Sequence, residues 1–194
     1  MREKTPSWRA LLEKTKTAER TDQILLLVDH ILTLWEKKDR WTCVYCSYAG
    51  YGRNGLLEDR REGDGTTPVG DFALPLAFGI RENPGTALPW KDVTEHAYWA
   101  DAGNVWTESE QPVPGEHLAS YDPQYRYAVF IAYNADPFIP GKGSAIFLHV
   151  KNDADWKTAG CVSVTEKNMI RLLQSLRPGA RMLIVKKPED IGRY

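Results

Sequence analysis

Apolar and polar positions alternate along much of the chain with the short period of strands. Residues 23–37, QILLLVDHILTLWEK, are dense enough in apolar side chains for a buried helix. They equally suit two strands joined by a tight turn at Asp29-His30. The alternation of Ile31, Thr33 and Trp35 against Leu32 and Leu34 favours the hairpin. Residues 41–49, WTCVYCSYA, read as a third strand. Residues 125–133 and 144–150 are further strong strands, and 161–164 and 181–185 are short ones. Helical spacing is rarer. Residues 7–18 read as a short helix with Ser7 as N-cap and Trp8, Leu11 and Leu12 on one face. A second helix follows Thr165, with Met169, Leu172, Leu173 and Leu176 on one side, and stops at Pro178-Gly179. The pattern therefore predicts a mainly β chain with short helices, of the α+β class.

Between these elements lie two long segments of a different character. Residues 50–70 are glycine-rich, with turns marked by Asp64-Gly65 and Pro68. No phosphate-binding or dinucleotide-binding fingerprint occurs there, so a phosphate cradle is a poor reading. Residues 72–79 are short and apolar. Residues 81–122 are polar, lack strong periodicity and hold Trp90, Trp99 and Trp106. A loop of that length is usually functional or flexible, and it is expected to be an insertion roofing a cleft.

Composition narrows the function. Lys plus Arg is 25 and Asp plus Glu is 26, a net charge of −1. That removes a bulk electrostatic case for nucleic acid or an anionic membrane. No apolar run approaches the roughly 20 residues of a membrane span, and the N-terminus carries no recognisable signal peptide. Three cysteines are too few for a disulfide scaffold, and their odd number leaves at least one thiol unpaired within the chain.

The chemistry concentrates in IFLHVKNDADWKTAGCVSV, residues 146–164. His149 lies near the end of an apolar strand, and Cys161 opens the next one. Adjacent strands joined by such a loop can bring an imidazole and a thiol together. An imidazolium lowers a thiol pKa, and the thiolate is the nucleophile. Gly160 would let a carbonyl approach the Cys161 N–H as part of an oxyanion hole. Thr158 could hydrogen-bond the turn or a substrate amide. Taken singly, a cysteine in an apolar strand is most often a small buried hydrophobe, and a histidine beside it a satisfied structural residue.

The segment resembles the catalytic domain of the L,D-transpeptidases, the YkuD family. That family's pattern is a His, a spacer, then Ser/Thr-x-Gly-Cys and an apolar residue; here the match is His149 and Thr158-Ala159-Gly160-Cys161-Val162. Upstream, residues 62–72, EGDGTTPVGDF, look like the family's G-D-G-x-T-P-x-G-x-F element. The chain departs from the pattern at Ser163, where Arg or Asn is usual, and in a short His-to-Cys spacing, which mark a divergent branch. The resemblance covers residues 23–187 as a catalytic domain. It leaves 1–22 as a helical or polar extension and 188–194 as a tail. It implies a β-sandwich of curved sheets around a catalytic groove, and acyl transfer on peptidoglycan stem peptides. Cys161 would be the nucleophile, His149 the base, and the Gly160 and Cys161 N–H groups the oxyanion hole. It also implies no metal or organic cofactor, and a place outside the cytoplasmic membrane. Hydrolysis of the same bond by an L,D-carboxypeptidase or amidase, or a wall-binding domain without catalysis, are the alternatives. Oligomeric state is not read from the sequence.

Trp99, Trp106 and Trp156 are candidate groove residues, because exposed aromatics stack on sugars or line peptide clefts; local packing is the competing reading. Thr158, Trp156, Ser163 and Trp99 are the expected substrate contacts. Arg53, Arg60 and Arg61 could pair with a substrate carboxylate, although a solvated turn is the default. Cys43 and Cys46 form a C-x-x-C without a second metal pair. On a regular strand they point to opposite faces, against a disulfide unless a bulge intervenes. His30, His96 and His117 have no ligand-spaced partner.

Overall fold

The computed structural model describes residues 7–194. Its helices are α1 (Trp8–Leu12), α2 (Thr17–Arg20) and α3 (Glu166–Ser175). The strands are β1 (Gln23–Val28), β2 (Ile31–Lys37), β3 (Trp41–Tyr48), β4 (Leu56–Leu57), β5 (Thr67–Pro68), β6 (Gly70–Ala73), β7 (Ala77–Gly79) and β8 (Trp90–Asp92). They continue as β9 (Ala97–Ala100), β10 (Val105–Glu108), β11 (Gly115–His117), β12 (Ala128–Phe130), β13 (Phe147–Val150), β14 (Val162–Val164) and β15 (Arg181–Val185). The fold is mainly β with a few short helices.

Two five-stranded sheets form the body, one in the order β3-β2-β1-β15-β6 and the other β14-β13-β12-β7-β8. Strand alternation explains how they stack. Leu25, Leu27, Leu32, Leu34, Met182 and Ile184 leave the first sheet on one face; Val129, Leu148, Val150, Val162 and Val164 leave the second toward them. Met169, Leu172 and Leu173 of α3 join the same cluster. Burying each such side chain stabilises by roughly 1.5–3 kcal/mol. The first sheet's other face carries Ile24, Leu26, Val28, Trp35 and Leu183, covered by Leu12 of α1 and by Ile191 of the C-terminal 3-10 turn Pro188–Arg193. The second sheet's other face carries Phe78, Ala128, Phe130, Phe147 and Cys161, covered by Trp99 and Leu118. Both sheets are thus buried on both faces, which is why β1 reads as an unbroken apolar run.

The β1–β2 hairpin forms as expected, with Asp29 at φ 51° in its turn. Thr165 caps α3 by accepting the Asn168 N–H at 3.3 Å. Four expectations change. The helix expected over 7–18 is two short ones, α1 and α2, although Ser7 does cap the first; the first six residues of the N-terminal extension lie outside the described residues. The strand expected over 125–133 shrinks to β12, because residues 124–126 form a 3-10 turn. The strand expected over 144–150 begins only at Phe147, because Ala145 takes φ 52°, which breaks the ladder. The 81–122 segment is not structureless: β8 pairs with β7, and β10-β9-β11 form a sheet of their own.

A β-bulge also alters the cysteine pair. Trp35 faces Cys43 across the ladder while Leu34 faces Tyr45, so Val44 is the extra residue. Thr33 faces Cys46. Thr33 and Trp35 share a face, and so therefore do Cys43 and Cys46, both exposed and both free thiols.

Candidate active site

β13 and β14 run parallel, with His149 opposite Ser163 and Leu148 opposite Val162. Cys161 precedes that ladder by one position, level with Phe147. Side chains on a strand alternate, so Phe147, His149, Cys161 and Ser163 project from one face and Leu148 and Val162 enter the core on the other. His149 and Cys161 are diagonal neighbours on that face. Both line a cleft of about 510 Å³ together with Arg53, Glu116, Tyr125 and Lys157. Cys161 is 8% exposed, so its sulfur meets the cleft with little other access to solvent.

The sulfur is held by the backbone. Its S–H donates to the Ala145 carbonyl at 3.3 Å, and it accepts the Phe147 N–H at 3.4 Å. Neither bond goes to His149. The imidazole is oriented by its own neighbour: Nδ1 lies 2.7 Å from the Val150 carbonyl oxygen. A carbonyl only accepts, so Nδ1 carries the proton and Nε2 presents a lone pair. Tyr125 packs edge-on against the ring at 5.8 Å.

Burial dominates the protonation of both groups. It pushes the Cys161 thiol up to about 12; the nearby Glu116 carboxylate adds to this, against the Phe147 N–H and Arg60. Burial pulls His149 down to about 4, opposed by its bond to Val150. Those shifts favour a neutral thiol and a neutral imidazole at rest over an imidazolium–thiolate pair.

The loop before Cys161 is fixed from two sides. Thr158 Oγ1 donates to the Cys161 carbonyl at 2.6 Å and accepts the Gly160 N–H at 3.1 Å. The Gly160 N–H is thereby engaged and does not stand ready as an oxyanion donor. From the glycine-rich segment, Thr67 Oγ1 donates to the Gly160 carbonyl at 2.6 Å and accepts the Gly52 N–H at 2.9 Å. Gly160 itself packs with its Cα against the Thr66 carbonyl; a Cβ there would lie 3.0 Å from that oxygen. Asp64 shapes the turn by accepting from the Arg61 and Thr66 N–H groups, which holds its carboxyl below the usual range despite partial burial.

The expected substrate contacts divide. Thr158 and Ser163 line the cleft, but the Ser163 hydroxyl donates to the Trp156 carbonyl at 2.7 Å and so ties that loop down. Trp156 lines a neighbouring groove rather than the cleft, edge-on to Tyr48, which stacks on His30. Trp99 is not a groove residue. It is 2% exposed, packs on Phe78, Phe130 and Phe147, and donates its indole N–H to Asn104. Trp106 packs against Phe78 beneath Lys91.

Two residues of the cleft were not anticipated. Glu116, on β11, accepts a very short hydrogen bond from the Tyr125 hydroxyl. Burial raises its carboxyl to about 7; that hydrogen bond opposes the rise, and the neighbouring Asp101 and Glu62 carboxylates add to it. Tyr125 is fully buried, and its hydroxyl is pushed well above its ordinary value by burial and by Glu116. The only sequence signal was a lone acidic residue beside a histidine in a polar stretch, which carries no pattern. Among the described residues, no three His, Cys, Asp or Glu side chains gather as metal ligands, and no helix is long and apolar enough to cross a membrane.

Two solved structures share this architecture. One is Bd1075 of Bdellovibrio bacteriovorus, at 14% identity and TM-score 0.50, covering 92% of this chain and 55% of that one. The other is the helical cell shape determining protein Pgp2 of Campylobacter jejuni, at 16% identity and TM-score 0.50, covering 96% and 61%. L,D-transpeptidase 1 of Mycobacterium tuberculosis matches at 12% identity and TM-score 0.42, covering 84% and 61%. The chain thus spans between about half and two thirds of the length of these structures. No curated protein matches the sequence significantly. The L,D-transpeptidase catalytic domain family, YkuD, matches residues 23–185, and the chain belongs to that family.

Proposed function

We propose that this chain is a cysteine acyltransferase acting on peptidoglycan stem peptides outside the cytoplasmic membrane, by L,D-transpeptidation through a Cys161 thioester. The observation that carries the reading is the placement of Cys161 and His149 on one sheet face, both opening on the 510 Å³ cleft. The Val150 carbonyl leaves His149 Nε2 as the ring's proton acceptor.

In this reading the resting pair is neutral, and the thiol proton passes to Nε2 as sulfur attacks the substrate carbonyl. The Cys161 N–H receives the oxyanion, since the Gly160 N–H is held by Thr158. The imidazolium then protonates the departing amine, leaving a thioester. An acceptor amine resolves it to a new amide; water would resolve it to an acid.

The test feeds a defined tetrapeptide donor with and without an acceptor amine. A crosslinked or exchanged product that disappears in Cys161→Ala supports the transferase. Hydrolysed donor alone would assign the chain to the carboxypeptidases. No turnover and no adduct at Cys161 with a carbapenem would sink the enzymatic reading.

A further inference from the structure

Trp156 belongs to a second groove, of about 370 Å³, which His30, Tyr48 and Tyr51 wall as well. Arg53, Asp155 and Lys157 line both this groove and the Cys161 cleft, so the two adjoin.

The aromatic wall follows from where β3 ends. Gly50 donates its N–H to the Ser163 carbonyl at 2.8 Å and accepts the Ser163 N–H at 2.9 Å, and Tyr51 accepts the Thr158 N–H at 3.1 Å. The chain leaving β3 thus runs along the loop that presents Cys161. A Cβ on Gly50 would stand 1.9 Å from the Trp156 carbonyl oxygen, so only glycine lets the two segments meet. That contact sets Trp156 edge-on to Tyr48, with centroids 4.8 Å apart. His30, from the β1–β2 turn, stacks on Tyr48 at 4.9 Å and on Tyr51 at 4.3 Å, with planes within 8° and 11°.

These rings are not core. Tyr48 is 48% exposed, and His30, Tyr51 and Trp156 are half-buried. Each ring is fixed by the next, and the Tyr51 hydroxyl is fixed by Asp29 at 2.9 Å. Little side-chain freedom is left to lose on binding. The charge where groove and cleft adjoin is mixed, Arg53 and Lys157 against Asp155. A polyanion finds too little positive charge there, and a purely apolar ligand would strip water from those groups. A ring with apolar C–H surface and outward hydroxyl and amide groups suits both halves, and that is the chemistry of an N-acetylated sugar.

Reach favours the same occupant. Ser163 lies two positions past Cys161 and Gly50 one strand over, which puts the groove floor about 8 Å from the nucleophile by strand spacings. In a tetrapeptide donor that loses its last residue, three residues separate the attacked carbonyl from the sugar. Three extended residues span about 10 Å. One ligand can therefore place its peptide in the cleft and its sugar in the groove.

We infer that this groove is a glycan subsite, holding the N-acetylated sugar that carries the stem peptide while the peptide enters the cleft. The inference rests on the proposed acyl transfer for the identity of the sugar. It adds that the chain acts on glycan-borne stems in preference to free ones.

The experiment follows acylation of Cys161 by intact mass with two donors. One is the free tetrapeptide; the other is the same tetrapeptide on its N-acetylglucosaminyl-N-acetylmuramic acid disaccharide. The disaccharide donor should reach its half-maximal rate at a concentration at least about tenfold lower, through its ring contacts. In Tyr48→Ala that ratio should fall close to one. In Val105→Ala, an exposed position outside the groove, it should persist. A ratio read within one variant is insensitive to how much of it folds. Equal half-maximal concentrations in the wild-type chain overturn the inference and leave the acyltransferase standing. So does a ratio that survives both Tyr48→Ala and Trp156→Ala. If neither donor acylates Cys161, the proposed function falls and the groove is judged by titrating the peptide-free disaccharide into the labelled chain by NMR. Saturable shifts that vanish in Tyr48→Ala then support the subsite, and the absence of saturable shifts overturns it.

Discussion

The Thr67 hydroxyl lies 2.6 Å from the carbonyl oxygen of Gly160, 93 residues further along the chain. This contact joins the glycine-rich segment to the loop that presents Cys161. It gives the two separated motifs a physical reason to occur together.

Thr67→Val keeps the shape and removes the hydroxyl. It leaves the buried Gly52 N–H and the Gly160 carbonyl without their partner. Each orphaned group costs about 1–3 kcal/mol, so a fall of roughly 2–4 °C in Tm per kcal/mol is expected. Acylation of Cys161 should slow as well, while Thr67→Ser should restore both. Melting curves and adduct mass check this; a valine variant that melts with the wild type contradicts it.

The neutral resting pair predicts an unusual reactivity profile. Iodoacetamide alkylation of Cys161 should keep rising with pH toward 12, without a plateau between pH 5 and 8, because the thiol is pushed that high by burial. Donor-driven acylation should instead fall away only as pH drops toward 4, where His149 gains its proton. A low-pH plateau in alkylation would show an ion pair and refute the neutral-pair account.

His149 also makes stability depend on pH. Its folded value of about 4 lies below the ordinary 6.5, so the unfolded chain binds the proton first as pH falls. The favourable contribution is full above 6.5 and drains as pH falls toward 4, a loss of about 3 kcal/mol at most. Glu116 works in the other sense: raised to about 7 from 4.5, it contributes below 4.5 and loses that contribution as pH rises through 7. Comparing melts of His149→Asn and wild type between pH 4 and 7 isolates the first effect. A Tm difference independent of pH would exclude it.

Asn104 is buried and ties three segments together. Its carbonyl accepts the Trp99 indole N–H at 2.7 Å and the Ala145 N–H at 3.0 Å, while its amide donates to the Tyr133 carbonyl at 2.9 Å. Ala145 in turn accepts the Cys161 S–H. Asn104→Ala should therefore lower Tm by several degrees and also slow acylation, whereas an exposed control such as Lys38→Ala should do neither. Unchanged acylation in a destabilised Asn104 variant would show that Ala145 does not depend on it.

The cysteines should separate kinetically. Cys43 and Cys46 are exposed on one face of β3 and Cys161 is buried, so a maleimide should add two equivalents quickly and a third slowly in folded protein. Three adducts at equal rates would deny the burial of Cys161.

Much of the frame was legible because it obeys one period at a time. The β1–β2 hairpin, β3, α3 and β15 carry enough apolar residues in register for their elements to be read directly. Cys161 and His149 stood out because they lie on adjacent strands joined by one loop and match the His and Thr-x-Gly-Cys pattern of the family. Other features depend on contacts that no local pattern encodes. Trp99 looked like a groove residue because the strands around it are only three or four residues long and embedded in polar sequence; only the Asn104 bond and the Phe78–Phe147 cluster explain its burial. Glu116 was unreadable for the same reason, since its meaning lies in the Tyr125 hydroxyl it accepts, and Arg60, by default part of a solvated turn, is instead 2% exposed. The bulge at Val44 reversed the expected facing of Cys43 and Cys46 through a single unpaired residue.

The covered, protonated sulfur of Cys161 has a further consequence for durability. Peroxides attack thiolates, and a thiol raised to about 12 offers almost none at neutral pH. In the proposed mechanism such a nucleophile is latent: it resists oxidation to the sulfenic acid while idle and becomes reactive only with a carbonyl docked beside His149. A low-pKa cysteine would react sooner in every cycle, but between cycles it would stand open to irreversible damage.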